Sequence, residues 1–364
     1  MDHLVFADPP ALETPLRAAI RDAHRLEESE ADARLLAAAD IPAAARERIA
    51  ATARRLVTAV RRERLGKGGL DAFLQEYALS SPEGVALMCL AEALLRIPDA
   101  ETVDRLIRDK IAAADWQRHL GHSGSLFVNA STWALMLTGR LLRQDGAADL
   151  GAVLRRVVAR SSEPVWRQAV TAAMRILADQ FIMGRTIAEA LARARHAERQ
   201  GYRHSFDMLG EAARTMADAG RYHAAYERAI ASIGKAAAGQ PIAAAPGISV
   251  KLSALHPRYE MAQQDRVMRE LLPVLLRLAG EARAAGIGFT IDAEEADRLE
   301  LSLDLVEALA LAPDLAGWDG LGLAVQAYQK RALPVIDWLA DLAGRAGHRL
   351  MVRLVKGAYW DSEV

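Results

Sequence analysis

The chain has 364 residues, 52% hydrophobic and 26% charged, with a formal net charge of −1. That length allows two or perhaps three domains and at least one large core, in an ordinary globular balance. The charge excludes a global field that would recruit nucleic acid or an anionic membrane, and one cysteine, Cys89, excludes an internal disulfide and fits a reducing compartment.

The chain opens Met1-Asp2-His3, with no basic segment leading into an apolar core, so no secretory signal is expected. Residues 1–48 read as an arm and 49–184 as an all-helical domain. In that domain Ile49, Ala53, Leu56, Val57 and Val60 recur at helical spacing, with Arg54, Arg55, Arg61 and Arg62 between them. Ser81-Pro82-Glu83 starts a helix that should stop near Ile97-Pro98, and Asp99 and Thr102 announce the next. Cys89 falls in an apolar helical run and reads as a small core residue. The uncharged stretch Leu120 to Gly139 is too interrupted by polar residues to span a membrane. Ser162-Glu163-Pro164 starts a helix running to about Met183. A cytoplasmic protein is expected, with peripheral membrane contact left open.

The rhythm changes near residue 185. Thr186-Ile187-Ala188-Glu189 matches a capping box whose helix ends at Gln200-Gly201. Short β-type runs then alternate with amphipathic stretches. The runs are Tyr202–Leu209, Gly247–Ala254, Gly288–Glu294, Gly320–Ala327 and Arg349–Ala358; the helical stretches lie around 211–236, 260–285, 296–311 and 330–346. Such alternation argues for a parallel sheet.

Period-2 reading favours a closed sheet over an open one. Val250 and Leu252 oppose Ser249, Lys251 and Ser253; Phe289, Ile291 and Ala293 oppose Thr290, Asp292 and Glu294; Leu350, Val352 and Leu354 oppose Met351, Arg353 and Val355. An open sheet covered on both faces should be apolar on both. Here one face collects Lys251, Asp292, Gln326 and Arg353 late in the runs, where a barrel places its active site. The fold class is therefore α/β: a (β/α)₈ TIM-type barrel over 185–364, about five strands of it present, preceded by the all-helical domain. A barrel of that type needs eight strands, so a fragment of a longer reading frame is expected.

The barrel mouth offers chemistry of several kinds. Lys251 reads as a cation paired with a carboxylate or an anionic substrate, or as a Schiff-base amine with a depressed pKa. Asp292-Ala293-Glu294-Glu295 pairs with facing cations rather than binding a metal, for which no matching ligands are in view. Gly317, Gly320 and Gly322 lack the spacing of a phosphate loop. His256 reads as a loop-ordering hydrogen-bond donor, and Arg221, Tyr222 and Tyr226 as solvated face and packing.

Five strings are similar to the proline dehydrogenase domain of bifunctional proline utilisation proteins. They run Tyr202 to Ala212 (YRHSFDMLGEA), Ile248 to Tyr259 (ISVKLSALHPRY), Ile291 to Glu300 (IDAEEADRLE), Val325 to Arg331 (VQAYQKR) and Arg353 to Asp361 (RLVKGAYWD). The resemblance is firm from about 180 to 364 and looser before. It implies FAD-dependent oxidation of L-proline to Δ1-pyrroline-5-carboxylate, with electrons passed to a membrane quinone. By that resemblance Lys251 helps hold the substrate carboxylate, and Asp292 tunes the flavin site beside it. Gln326, Arg353 and Lys356 contact flavin, Tyr359 lines the proline pocket, and Glu211 is a gating acid in the first-strand motif with Asp207.

The resemblance also implies a C-terminal NAD-dependent L-glutamate γ-semialdehyde dehydrogenase in cis and a homo-oligomer when complete. The family's paired arginines and further pocket residues fall on strands absent here, so little or no activity is expected of the 364-residue chain alone. Some members begin with a ribbon-helix-helix domain; this chain has none, and no nucleic-acid partner is expected. Two rivals stand beside this reading: a lysine-dependent lyase or aldolase barrel, and an inactive scaffold fragment.

Overall fold

The computed structural model describes residues 14–64, 182–208, 212–237, 239–359 and 363. Cys89, the helix starts at Ser81, Asp99 and Ser162, the uncharged stretch from Leu120 and the candidate acid Glu211 lie outside the described residues. The chain divides into two compact units, Met1–Asp40 with Thr186–Val364, and Ile41–Arg185. In the second, α3 (Ala43–Arg64) forms where the helical spacing of Ile49, Leu56, Val57 and Val60 places it.

The first unit opens with α1 (Pro15–His24) and α2 (Glu28–Ala38). The Thr14 hydroxyl accepts from Arg17 N, and Pro15 costs nothing at the first helical position, where its N–H would have no partner. Where the chain re-enters this unit, α4 (Ile187–Glu198) starts as the capping box requires: the Thr186 hydroxyl accepts from Glu189 N at 3.2 Å. Gly201, with φ of 94°, turns the chain toward β1 (Ser205–Asp207).

Thereafter strand and helix alternate: α5 (Met216–Ala237), β2 (Gly247–Val250), α6 (Leu252–Leu255), α7 (Gln264–Glu270), α8 (Leu272–Ala284), β3 (Gly288–Ile291), α9 (Leu299–Ala310), β4 (Leu321–Gln326), α10 (Ala332–Ala346) and β5 (Met351–Val355). At the start of α5 the Thr215 hydroxyl accepts from Asp218 N at 3.1 Å while the Asp218 carboxylate accepts from Thr215 N at 2.9 Å, a reciprocal cap the sequence reading passed over. Gly347, left-handed at φ 68°, ends α10.

Two expectations need correction. The second β-type run stops at Val250, because Ser253 and its neighbours coil into α6 instead of continuing the strand to Ala254. The ladder gives the reason: Val250 pairs with Ile291 at the end of β3, and beyond it the chain has no strand to lie against. The stretch 260–285 is two helices broken at Leu271, since Pro273 lacks the N–H that would continue the bonding of α7.

All four strand pairings are parallel, and the strands lie in chain order β1-β2-β3-β4-β5. A doubly wound sheet would reverse direction at a switch point; a barrel winds one way. The sheet also curls. Arg353 on β5 donates to the Ser249 hydroxyl on β2 at 3.0 Å, although three strand spacings, about 14 Å, separate those strands in a flat sheet. The described part of this unit is thus a partial (β/α) barrel, with β1 and β5 at its edges.

Its core lies outside the sheet. Ile248, Val250, Phe289, Ile291, Leu321 and Leu323 are buried, as are Tyr226, Ile230 and Ile233 of α5, Leu275 and Leu278 of α8, Leu305 and Leu309 of α9, and Trp338 and Leu342 of α10. β5 is different: Val352 and Leu354 are 43% and 64% exposed, so its outward apolar side has no cover among the described residues. Gly322 lets β4 approach β5, because a Cβ there would run into the Met351 carbonyl.

Candidate active site

Three strand ends meet in one ion cluster. Lys251, just past β2, donates from Nζ to both carboxylate oxygens of Asp207 on β1, at 3.0 and 2.8 Å, and to Asp292 Oδ2 past β3 at 2.9 Å. An ammonium has three donors, and these oxygens match all three. The other Asp292 oxygen accepts from Arg353, whose second arm holds Ser249. Ser249 also shares a 3.0 Å hydroxyl contact with Ser205 on β1. Tyr226 of α5 accepts from the Lys251 backbone N–H at 3.2 Å and fixes the point where β2 turns off.

The electrostatics follow from this geometry. Burial by itself would lower the Lys251 pKa, but the hydrogen bond to Asp207 and the charge of Asp292 outweigh it and hold the ammonium well above its ordinary range. Asp207 is pushed up, chiefly by burial and also by the Asp292 charge, against the pull of Lys251. A lysine held this way is a fixed cation, the opposite of the depressed amine that Schiff-base chemistry requires.

A second tier lies just beyond. Glu294 is buried; it accepts from Ser253 N at 3.0 Å and from Arg298 at 3.0 Å, and burial still raises its carboxyl above the usual range. Gln326, at the end of β4, donates to the Glu294 carbonyl at 2.9 Å and accepts from Ala358 N at 3.1 Å. It therefore ties the exit of β3 to the turn after β5. In that turn Gly357 has φ of 119° and lies against the Tyr328 ring, where a Cβ would have no room. A small cleft lined by Tyr259, Glu294, Arg298, Ser302, Gln326 and Val335 adjoins this tier, and Lys251 does not line it.

Of the residues singled out from sequence, Lys251 and Arg353 each touch Asp292. Gln326 sits one tier away, Lys356 is exposed just past β5, and Tyr359 is half-buried after the Gly357 turn. Glu211 lies outside the described residues. His256 orders its loop: it is 2% exposed, faces Glu270 at 3.0 Å through Nε2 and accepts from Arg258 N at 3.1 Å through Nδ1. Sequence reasoning missed Ser205, Ser249 and Tyr226 as members of the site. The strand parity of Ser249 with Lys251 was a signal for one of them; nothing in a helical tyrosine distinguishes a packing ring from a backbone acceptor.

Among the described residues no three His, Cys, Asp or Glu side chains converge to hold a metal ion, and no helix is long and apolar enough to cross a membrane.

Comparison with known proteins gives three family matches in chain order. Residues 14–61 match the proline utilization A proline dehydrogenase N-terminal domain, 69–181 a DNA-binding domain of proline dehydrogenase, and 190–364 proline dehydrogenase. The bifunctional protein PutA of Escherichia coli (strain K12) is 54% identical over 364 residues, covering 99% of this chain and 28% of its own length. The PutA of Rhizobium meliloti is 52% identical over 359 residues, 99% of this chain and 29% of its own. A crystal structure of bifunctional proline utilization A superposes with a TM-score of 0.65 at 46% identity, over 98% of this chain and 34% of that one. The chain thus spans under a third of the length of these curated relatives.

Proposed function

The chain belongs to the proline dehydrogenase family, with the domain order of the bifunctional proline utilisation proteins, and from that premise we propose that it supplies part of a site that oxidises L-proline to Δ1-pyrroline-5-carboxylate. The observation that carries this reading is the fixed cation pair at the barrel mouth, Lys251 and Arg353 bridged by Asp292.

Proline carries one permanent negative charge, its carboxylate, and the reacting carbon lies across the ring beside the nitrogen. A held cation pins the carboxylate and thereby fixes that carbon at near-attack distance. Every donor of Lys251 is already matched, so an incoming carboxylate must displace an existing partner. Asp207 is the candidate, with a side chain 41% exposed against 10% for Asp292. Asp292 stays to hold Lys251 and Arg353 in register.

FAD is the cofactor of this reading, and it would accept the hydride that leaves the carbon beside nitrogen. The donor set suits it. Arg353 engages Ser249 and Asp292, and its side chain remains 39% exposed, which leaves guanidinium donors for an anionic ring. Lys356 adds an exposed cation three residues on, just past β5. Gln326 can spare one N–H and one lone pair beyond its two backbone bonds, and Tyr359 supplies an aromatic wall.

Electron transfer to a quinone, peripheral contact with a membrane, a cytoplasmic setting, a homo-oligomer and a second, NAD-dependent dehydrogenase in cis complete the reading. Residues 69–181, matched to a DNA-binding domain of proline dehydrogenase, lie outside the described ones.

The test is the visible spectrum of the natural full-length protein, recorded anaerobically before and after L-proline. A flavin band that bleaches with proline is the expected result. Bleaching with dithionite alone removes proline from the account, and a colourless folded protein removes the flavin. The lyase alternative would require borohydride to trap substrate on Lys251, which its paired carboxylates oppose.

A further inference from the structure

Behind the ion cluster a second, buried link joins the exits of the same three strands. Glu294, two residues past Asp292, accepts from the backbone N–H of Ser253, two residues past Lys251, at 3.0 Å. Ser253 in turn grips the segment leaving β1 twice: its hydroxyl accepts from Ala212 N at 3.2 Å, and its carbonyl accepts from Ala213 N at 2.8 Å. Ser253 is 3% exposed and belongs to α6, the helical turn that replaced the expected end of β2.

What it grips is unusual. Ala212 has φ of 56°, and it alone among the described non-glycine residues lies in the left-handed region. A Cβ crowds the backbone there, so an alanine stays only where its surroundings outweigh the preference. The surroundings here are Ser253. One hydroxyl and one carbonyl from a single buried residue hold two successive amides, and Glu294 holds that residue from the other side.

We infer that Ser253 is a positioning residue for the barrel mouth: it holds the turn after β1 in its left-handed form and thereby keeps the exits of β1 and β2 at the separation that brings Asp207 to Lys251. Its consequence for substrate rests on reading that cluster as the proline carboxylate site; its consequence for the backbone does not.

The experiment uses the natural full-length protein in four forms: wild type, Ser253→Ala, Ala212→Gly and the double variant. Hydrogen exchange is followed in the peptide containing Ala212 and Ala213, alongside KM and kcat for L-proline. Ser253→Ala keeps the carbonyl bond to Ala213 and loses only the hydroxyl, so folding should survive. Its exchange should speed up about tenfold, as loss of one buried hydrogen bond allows. Its proline KM should rise by a similar factor while kcat changes less than about threefold, because binding geometry moves and the chemistry does not. Glycine enters the left-handed region without the Cβ penalty, so the double variant should return the proline KM to within about threefold of wild type, while exchange stays fast because no hydroxyl accepts from the amide of residue 212.

Unchanged exchange in Ser253→Ala overturns the inference. So does failure of glycine to rescue the proline KM, because a residue that only fills space is not replaced by backbone freedom elsewhere. Faster exchange with an unchanged KM overturns the link to the substrate site. If the wild type shows no reaction with proline, the proposed function fails, and the exchange results alone decide the role of Ser253.

Discussion

At the scale of single residues the site is a charge-balanced quartet in which Lys251 stands between two carboxylates. Removing its ammonium leaves Asp207 and Asp292 facing each other with Arg353 alone to offset them, and on the proposed reading it deletes a donor for the substrate carboxylate. Lys251→Met should lower kcat/KM for L-proline about a hundredfold in the full-length enzyme, roughly 2.7 kcal/mol of transition-state stabilisation; steady-state kinetics checks it. Glu294 gives a pH signature. Burial holds its carboxyl above the ordinary value despite Ser253 and Arg298. A folded pKa above the unfolded one means the folded state binds the proton more tightly. The contribution to stability is therefore fully present below the unfolded value and is lost as pH rises through the folded one. Thermal melts of wild type and Glu294→Gln should move in favour of the wild type as pH falls from about 8 to about 5, and a constant difference would contradict the assignment. The carboxylates and cations of this quartet were visible as residues late in each run, yet their pairing was not. Asp207 and Lys251 are 44 positions apart, and only adjacent parallel strands bring them together.

At the scale of elements, α1 is held against the barrel by charge as well as packing. Arg17 lies over the Trp338 ring at 5.4 Å, pairs with Asp304 on α9, and stands 3.4 Å from Glu300. Ile20 beside it is fully buried. Burial raises the Asp304 carboxyl, with Arg17 pulling the other way. Without the guanidinium, two poorly solvated carboxylates share one site, so Arg17→Ala should cost about 3 kcal/mol of stability, read as a lowered denaturation midpoint with activity retained at low temperature. Lys330 reinforces the contact from the loop after β4, donating to the Leu26 carbonyl at 2.6 Å and pairing with Glu28. The arm thus braces the loop after β4, which follows Gln326. The capping box at Thr186 and the alternation of runs with amphipathic stretches were legible because each is written in adjacent residues. The break at Leu271 was legible in principle from Pro273. The docking of α1 was not, since an arginine in an amphipathic helix reads the same whether it meets solvent or a tryptophan.

At the scale of the whole molecule, the five described strands wind in one direction and curl enough for β5 to reach β2, but among the described residues β1 and β5 keep unpaired edges and Val352 and Leu354 stay exposed. Parallel strands are normally covered on both faces, and the curated relatives extend far beyond the matched segment. On the proposed reading, strands left uncovered position a substrate poorly, so the 364-residue chain alone should show under about 1% of the proline-dependent dye reduction of the full-length form. Comparable rates would mean that the cluster around Lys251 suffices. The sequence by itself determined the alternation of strand and helix, the barrel in preference to an open sheet, the family and the residues that gather at the mouth. Periodicity, turn chemistry and contiguous motifs are all written along the chain. Tertiary structure alone decided that Lys251 has three carboxylate oxygens around it, that Tyr226 and Ser249 belong to the site, and that Ser253 holds a left-handed alanine in place. Such contacts join residues tens of positions apart, and their existence depends on the curl of the sheet, which no local pattern in the sequence records.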